Sequence, residues 1–225
     1  MAKGDFNNDG KLDLATFQAG DPGPPTTGAM SVLLGEGDGA FQPPNVTKLD
    51  VATDIVVADF NLDHKADVAI ADLDSSGKIR ILILIGNGDG TFQSAKQEAT
   101  LQSTVSAGGD FRYLVAADFN SDAKPDLGVD DSGGVRILLG AGDGTFQLEP
   151  LAAISSGFSV WNVDGAADIN RDGKVDLVVH TMQFSQSGGS EGPRSRTDHI
   201  SLFLGNRDGT LQSERDRSAL RIEQG

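Results

Sequence analysis

Four short stretches of this chain carry carboxylates at a spacing that suits a hard cation. DFNNDGKLD runs from Asp5 to Asp13, DFNLDHKAD from Asp59 to Asp67, DFNSDAKPD from Asp118 to Asp126, and DINRDGKVD from Asp168 to Asp176. Positions 1, 3, 5 and 9 read Asp, Asn, Asp, Asp in every copy. The side-chain donors are Asp5, Asn7, Asp9 and Asp13; Asp59, Asn61, Asp63 and Asp67; Asp118, Asn120, Asp122 and Asp126; Asp168, Asn170, Asp172 and Asp176. Position 7 is always lysine, and the backbone carbonyls of Lys11, Lys65, Lys124 and Lys174 are further candidate donors. Three carboxylates within nine residues repel one another unless a cation sits among them. Calcium accepts about six to eight oxygens at roughly 2.3–2.6 Å in a forgiving geometry. Each loop is therefore read as a Ca2+ site, up to four in the chain. Position 12 of an EF-hand is glutamate; here it is Thr16, and the last acid comes at position 9, so the loop is not an EF-hand.

One such match is an ordinary turn composition. Four matches, with position 4 drifting through Asn8, Leu62, Ser121 and Arg171, are not. Residues hold where a metal needs oxygen and vary where a side chain faces water. Glycine at position 6, Gly10 and Gly173, eases the sharp turn, whereas His64 and Ala123 stand there in the second and third loops and predict weaker sites.

The elements that must position these loops are strands. GEGDGAFQ, GNGDGTFQ, GAGDGTFQ and GNRDGTLQ interleave with the acidic loops, and Asp-Gly between apolar runs signals a hairpin whose two turn residues both take positive φ. Asp38, Asp89, Asp143 and Asp208 are accordingly read as turn residues rather than extra metal ligands. Short runs rich in Val, Ile, Leu and Phe fill the spaces, with no sustained helical period. The expected fold class is all-β. It is a β-propeller built of four-stranded antiparallel blades, four repeats in one domain spanning 1–225. The acidic loop joins strands 1 and 2 of each blade, and the Asp-Gly turn joins strands 3 and 4. The repeats fall near 1–50, 51–104, 105–155 and 156–217. The first lacks most of its leading strand; either 218–225 supplies it and closes the ring, or the chain is an open piece of a larger propeller whose exposed edges pair with a second copy, and the sequence does not choose between the two.

The four D-x-N-x-D-x-K-x-D loops and the four G-x-x-D-G-x-(F/L)-Q turns resemble the FG-GAP, or VCBS-type, repeat found in the integrin α-chain propeller and in many bacterial surface proteins. The resemblance implies calcium at each loop, a secreted or cell-surface location, and adhesion or ligand binding rather than a reaction. Integrin-type propellers typically carry seven blades, and this chain has four repeats.

Composition points the same way. Acidic residues number 33 against 18 basic ones, a net charge of −15, which four divalent ions would bring to −7. That acidity argues against nucleic acid as a partner and against an anionic membrane surface, and membrane insertion is not expected for want of an apolar spanning stretch. There is no cysteine, no membrane-spanning apolar stretch and no signal peptide in the chain, and its abrupt start suggests a fragment or a removed leader.

Two connections between strands 2 and 3 read as long loops, 17–30 and 183–199, on the face opposite the acidic loops. They read first as flexible insertions with no partner; the other reading is a protein or glycan ligand there, with Arg194, Arg196, Asp198 and His199 as the polar candidates. Trp161 reads as core or groove packing before a sugar platform. The histidines are His64, His180 and His199, and no nucleophile elbow or Ser-His-Asp order appears. The sequence therefore describes a non-catalytic calcium-binding module for extracellular protein or glycan binding. A structural scaffold cut from a larger surface protein or enzyme is the alternative, and a polysaccharide lyase or hydrolase ranks below it.

Overall fold

The computed structural model describes residues 1–18, 28–49, 51–73, 78–104, 114–131, 133–156, 158–186 and 194–220. Among them there is no helix. Four antiparallel sheets follow one another along the chain. The first is β1 (Ala2–Gly4), β2 (Asp13–Gln18), β3 (Gly28–Leu33) and β4 (Asn45–Leu49); the second is β5 (Val51–Ala58), β6 (Asp67–Leu73), β7 (Lys78–Leu84) and β8 (Lys96–Thr104). The third holds β9 (Leu114–Ala117), β10 (Asp126–Asp131), β11 (Gly134–Gly140) and β12 (Phe146–Leu148), with β13 (Ala152–Ala153) also pairing β11. The fourth is β14 (Phe158–Ala167), β15 (Asp176–Gln186), β16 (Arg194–Phe203) and β17 (Arg215–Leu220). Each sheet is a simple meander, the blade of a β-propeller. Each acidic loop joins a blade's first and second strands.

The chain divides into two compact units. One is Met1–Asp110 with Gly140–Gln147, and the other is Phe111–Leu139 with Leu148–Gly225. Alternation along the strands builds the core of each. In the first unit Met30, Val32, Ile55, Val68, Ile70 and Leu84 are buried together with Phe6. In the second, Val135, Ile137, Leu177, Val179 and Phe203 are buried together with Phe119. Burying side chains of this size contributes about 1.5–3 kcal/mol each.

Three expectations change. The first strand of blade one is Ala2–Gly4, which pairs Ala2 with Ala15 and Gly4 with Asp13. The described part of the tail, 218–220, pairs with β16 instead, placing Ala219 opposite His199; 221–225 lies outside the described residues. Residues 215–220 are thus the fourth strand of their own blade, because β17 follows directly from the turn after β16. Secondly, much of 183–199 is strand. The β15–β16 ladder continues to Gln186 opposite Arg194, which leaves 187–193 outside the described residues, as is 19–27 of the other long connection.

Thirdly, the Asp-Gly turns are not two-residue hairpins. Positive φ falls on Gly37 and Gly39, on Gly88 and Gly90, on Gly142 and Gly144, and on Arg207 and Gly209, so the aspartate between each pair keeps negative φ. Glu36 donates to the carbonyl of Ala40 at 2.9 Å, and Gly35 bridges Phe41. The turn is one residue longer than a type I′ hairpin and needs left-handed backbone on either side of the acid.

Candidate metal centre

The four acidic loops fold alike. Asp5 Oδ1 and Asn7 Oδ1 both accept the amide of Asp9, at 3.1 and 3.2 Å, and Asp5 Oδ2 accepts the amide of Gly10 at 2.9 Å. Asp9 Oδ1 accepts the amide of Lys11 at 2.9 Å. The second loop repeats this with Asp59, Asn61 and Asp63, the third with Asp118, Asn120 and Asp122, and the fourth with Asp168, Asn170 and Asp172. Oxygens from positions 1 and 3 thus meet at one N–H in every copy. The side chains at positions 1, 3 and 5 curl over the same three amides.

That curl has a backbone cost. Position 4 is left-handed in all four loops, at Asn8 (φ 56°), Leu62 (59°), Ser121 (63°) and Arg171 (63°). Position 6 is left-handed too, at Gly10, His64, Ala123 and Gly173. The expectation that position 6 needs a glycine-like conformation holds. The matching demand at position 4 is invisible in a sequence that puts Leu and Arg there. A non-glycine residue in this region costs about 1 kcal/mol or more.

Charge and chemistry fit a divalent ion. Each loop holds three carboxylates and one ammonium. Lys11 Nζ lies 3.3 Å from Asp9 Oδ2, and Lys65, Lys124 and Lys174 lie 3.4, 3.3 and 3.4 Å from Asp63, Asp122 and Asp172. Two negative charges remain in each of the first three loops and one in the fourth, where Arg171 adds a second cation, and all side-chain donors are hard oxygens. A carboxylate has about four lone-pair sites, so the amide bonds leave acceptor capacity at positions 1 and 5. Among the described residues, no three acidic or histidine side chains converge tightly enough to make a metal centre as they stand. A cation here would share its ligands with the loop's own amides.

The amide of Lys11 is the first cause holding Asp9 below the usual carboxylate range. At Asp63, Asp122 and Asp172 burial pushes upward, and hydrogen bonds from the loop's asparagine and lysine outweigh it. Asp67, at position 9, is raised by burial against the amides of Gly86, Phe60 and Asn61.

Position 9 stands apart from the other donors. Asp13 is fully buried; its Oδ2 accepts the amide of Phe6 at 2.8 Å and its Oδ1 the amide of Gly35 at 2.7 Å. Asp67 binds Phe60 and Gly86 likewise, and Asp176 binds Ile169 and Gly205. This acid therefore clamps the loop to the turn between strands 3 and 4. Close packing makes the clamp exact. A Cβ on Gly35, Gly86 or Gly205 would stand 2.2, 2.3 or 2.2 Å from the backbone oxygen of Leu12, Ala66 or Val175. The lysine at position 7 adds a second tie, since its stem lies where a Cβ on Gly37 or Gly88 would meet it, at 3.2 or 3.0 Å. Asp38, Asp89, Asp143 and Asp208 accept the amide two residues on, in each case closing their own turn.

The polar residues expected to contact a ligand sit on strands. Arg196 Nε and Nη2 reach Asp198 Oδ1 at 2.8 and 2.7 Å, and His180 Nε2 reaches the same oxygen at 3.0 Å. Burial pushes the Asp198 carboxyl up, but Arg196 and His180 together bring it below the usual range. The Arg196 guanidinium lies 4.8 Å from the Trp161 ring centre. Trp161 is half-buried at a register shift between Val160 and Asn162, a β-bulge that re-aims its side chain. His199 is instead buried against Phe158, ring centres 4.8 Å apart. The sequence singled out Arg196, Asp198 and Trp161 separately, but nothing in it announced the bulge or brought His180 to them.

Among the described residues no helix is long and apolar enough to cross a membrane. A family model described as an FG-GAP-like repeat matches residues 5–70, 59–129 and 127–179. Comparison with curated proteins finds no match. Among solved structures the chain is similar to one titled as the structural basis of specific recognition of non-reducing terminal N-acetylglucosamine by an Agrocybe aegerita lectin. Identity is 16%, the TM-score is 0.44, and the match covers 89% of this chain. The chain spans 65% of that protein's length.

Proposed function

Because the chain belongs to the FG-GAP-like repeat family, we propose that it is a non-catalytic binding module whose acidic loops take up calcium and stiffen the blades for extracellular protein or glycan binding. One observation carries the metal reading: in four separate loops, oxygens from positions 1 and 3 meet at a single amide while the lysine ammonium pairs with the carboxylate at position 5 alone. Plain turns have no need of uncompensated negative charge in every copy. A bound calcium would be held by the side chains at positions 1, 3 and 5 and the backbone carbonyl at position 7. Position 9 would serve as ligand while keeping its clamp. The ion supplies charge neutralisation and oxygen coordination. The loop's amides orient the donors, and the buried clamp carries that order into the strands.

The binding reading rests on Trp161 beside Arg196, Asp198 and His180, toward the β15–β16 connection and away from the acidic loops. An aromatic face flanked by a carboxylate, a guanidinium and an imidazole offers stacking and directional hydrogen bonds together.

Calorimetric titration of the chelator-treated chain tests the metal reading. Up to four calcium ions bind, and calcium binds more tightly than magnesium, which demands a stricter octahedron. Absence of calcium binding contradicts it. For the partner, a glycan and protein array probed with the native chain and with Trp161→Ala tests the face; a hit unchanged by the substitution removes Trp161 from the site.

A further inference from the structure

The fourth blade departs from the others at one place in its Asp-Gly turn. The third turn residue is Gly37, Gly88 or Gly142 in the first three blades and Arg207 in the fourth. All four hold left-handed backbone, with φ of 68° at Arg207. Glycine adopts that conformation freely and arginine is strained in it. Strain of this kind persists where the surroundings hold it, and it points to a use for the side chain.

The side chain reaches the acidic loop of its own blade. Arg207 Nη2 donates to the carbonyl of Gly173 at 3.3 Å. Gly173 is position 6 of the fourth loop and lies between Asp172 and Lys174. A Cβ built on Gly173 would stand 3.4 Å from the same nitrogen, so the guanidinium lies against the loop. At the second loop the carbonyl at position 6 accepts a neutral donor instead, Asn8 Nδ2 to His64 at 3.3 Å. The charges divide the same way. The first loop and its turn carry five acids against Lys11, and the second and third carry four acids against one lysine each. The fourth carries four acids against Arg171, Lys174 and Arg207. Net charge is therefore −4, −3, −3 and −1 in chain order. Calcium affinity rises with the negative charge of the ligand set.

We propose that Arg207 is a built-in cation of the fourth loop, so that this loop binds calcium most weakly of the four. The inference rests on the calcium reading of the loops and adds to it a residue that sets affinity. Glycine at position 6 alone would rank loop four with loop one; Arg207 reverses that order. Its guanidinium bonds the carbonyl at position 6, which is not among the candidate ligands. It therefore weakens binding through charge and not by occupying a donor. The charge is exposed and salt screens it, so one positive charge beside a divalent ion lowers affinity by roughly threefold to tenfold.

Calorimetric calcium titration of the full, chelator-treated chain tests it. Arg207→Gln removes the charge and keeps a side chain, Arg207→Gly restores the residue of the other turns, and Asp168→Asn identifies the fourth loop's binding step. Both positions are exposed, so the folded chain accommodates these changes. Asp168→Asn should remove the weakest step alone. Arg207→Gln should tighten that step roughly threefold to tenfold at low salt, and less at high salt, with the other steps unmoved. Arg207→Gly should tighten it at least as much. Calcium binding in which Arg207→Gln leaves the weakest step unmoved overturns the inference and leaves the calcium reading standing. Loss of a tight step in Asp168→Asn does the same. A chain that takes up no calcium at any loop contradicts the calcium reading itself, and the inference falls with it.

Discussion

Asp13 holds the amide of Gly35 at 2.7 Å across 22 residues, and with its other oxygen it holds Phe6 at the start of the acidic loop. Loop and turn are therefore one unit, and any metal that orders the loop acts on the strands through a buried carboxylate. Replacing one oxygen with an amide nitrogen sets a donor against a donor. An unsatisfied buried N–H costs about 1–3 kcal/mol. Asp67→Asn is expected to lower stability by about 2 kcal/mol, read by urea unfolding, and to remove calcium from the second loop, read by metal content.

Strain relief runs the other way. Leu62 and Ala123 hold φ of 59° and 65°, where asparagine and glycine sit more easily. Leu62→Asn should stabilise the chain by up to about 1 kcal/mol. Ala123→Gly should tighten calcium at the third loop, as measured by titration of that single site; weaker binding there would show that the loop tolerates alanine without strain.

Gly86 admits no side chain. Its Cβ would stand 2.3 Å from the carbonyl oxygen of Ala66, and backbone on both sides leaves little room to yield. Gly86→Ala is expected to cost about 3 kcal/mol. Gly10→Ala should cost less, since a Cβ there meets nothing within 4 Å and only the left-handed backbone opposes it.

Acid sensitivity should trace in part to Glu214. Burial pushes its carboxyl up, but Ser201 Oγ and the amide of Ser155, each at 2.5 Å, outweigh that and leave it lowered. A lowered folded pKa gives stability that is present above the unfolded value, about 4.3, and is lost as pH falls through the folded value. Glu214→Gln should therefore flatten the acid limb of the stability profile and leave its slope near neutrality unchanged. An identical acid limb in the variant would contradict this role.

The acidic loops were legible because metal-type donors must recur at fixed spacing, and they do so in four places. The meander of four strands per repeat was legible for the same reason. What escaped were demands that no residue type announces. Leu62 and Arg171 give no hint of left-handed backbone. Asp13 reads as a ligand like Asp9, and only the fold shows it buried with both oxygens on amides. The phenylalanine at position 2 looks like ordinary core, yet the carbonyl of Phe6 accepts the amide of Gly90 in the next blade. The span 183–199 reads as loop because Gly, Ser and Arg crowd it; cross-strand pairing extends the hairpin through Gln186 and Arg194 nonetheless. The tail looked like a missing first strand because Gly225 falls in register with Gly4. Local succession decided otherwise and gave 215–220 to β16.

The most direct test of calcium as the organiser of these loops is the melting temperature of the full chain with its metal content verified. Binding to the folded state alone stabilises it by RT ln(1 + [L]/Kd). Chelation to zero bound metal should lower the melting temperature, calcium should restore it, and magnesium at equal concentration should restore less. A melting curve that is the same in metal-free and calcium-loaded protein would contradict the account.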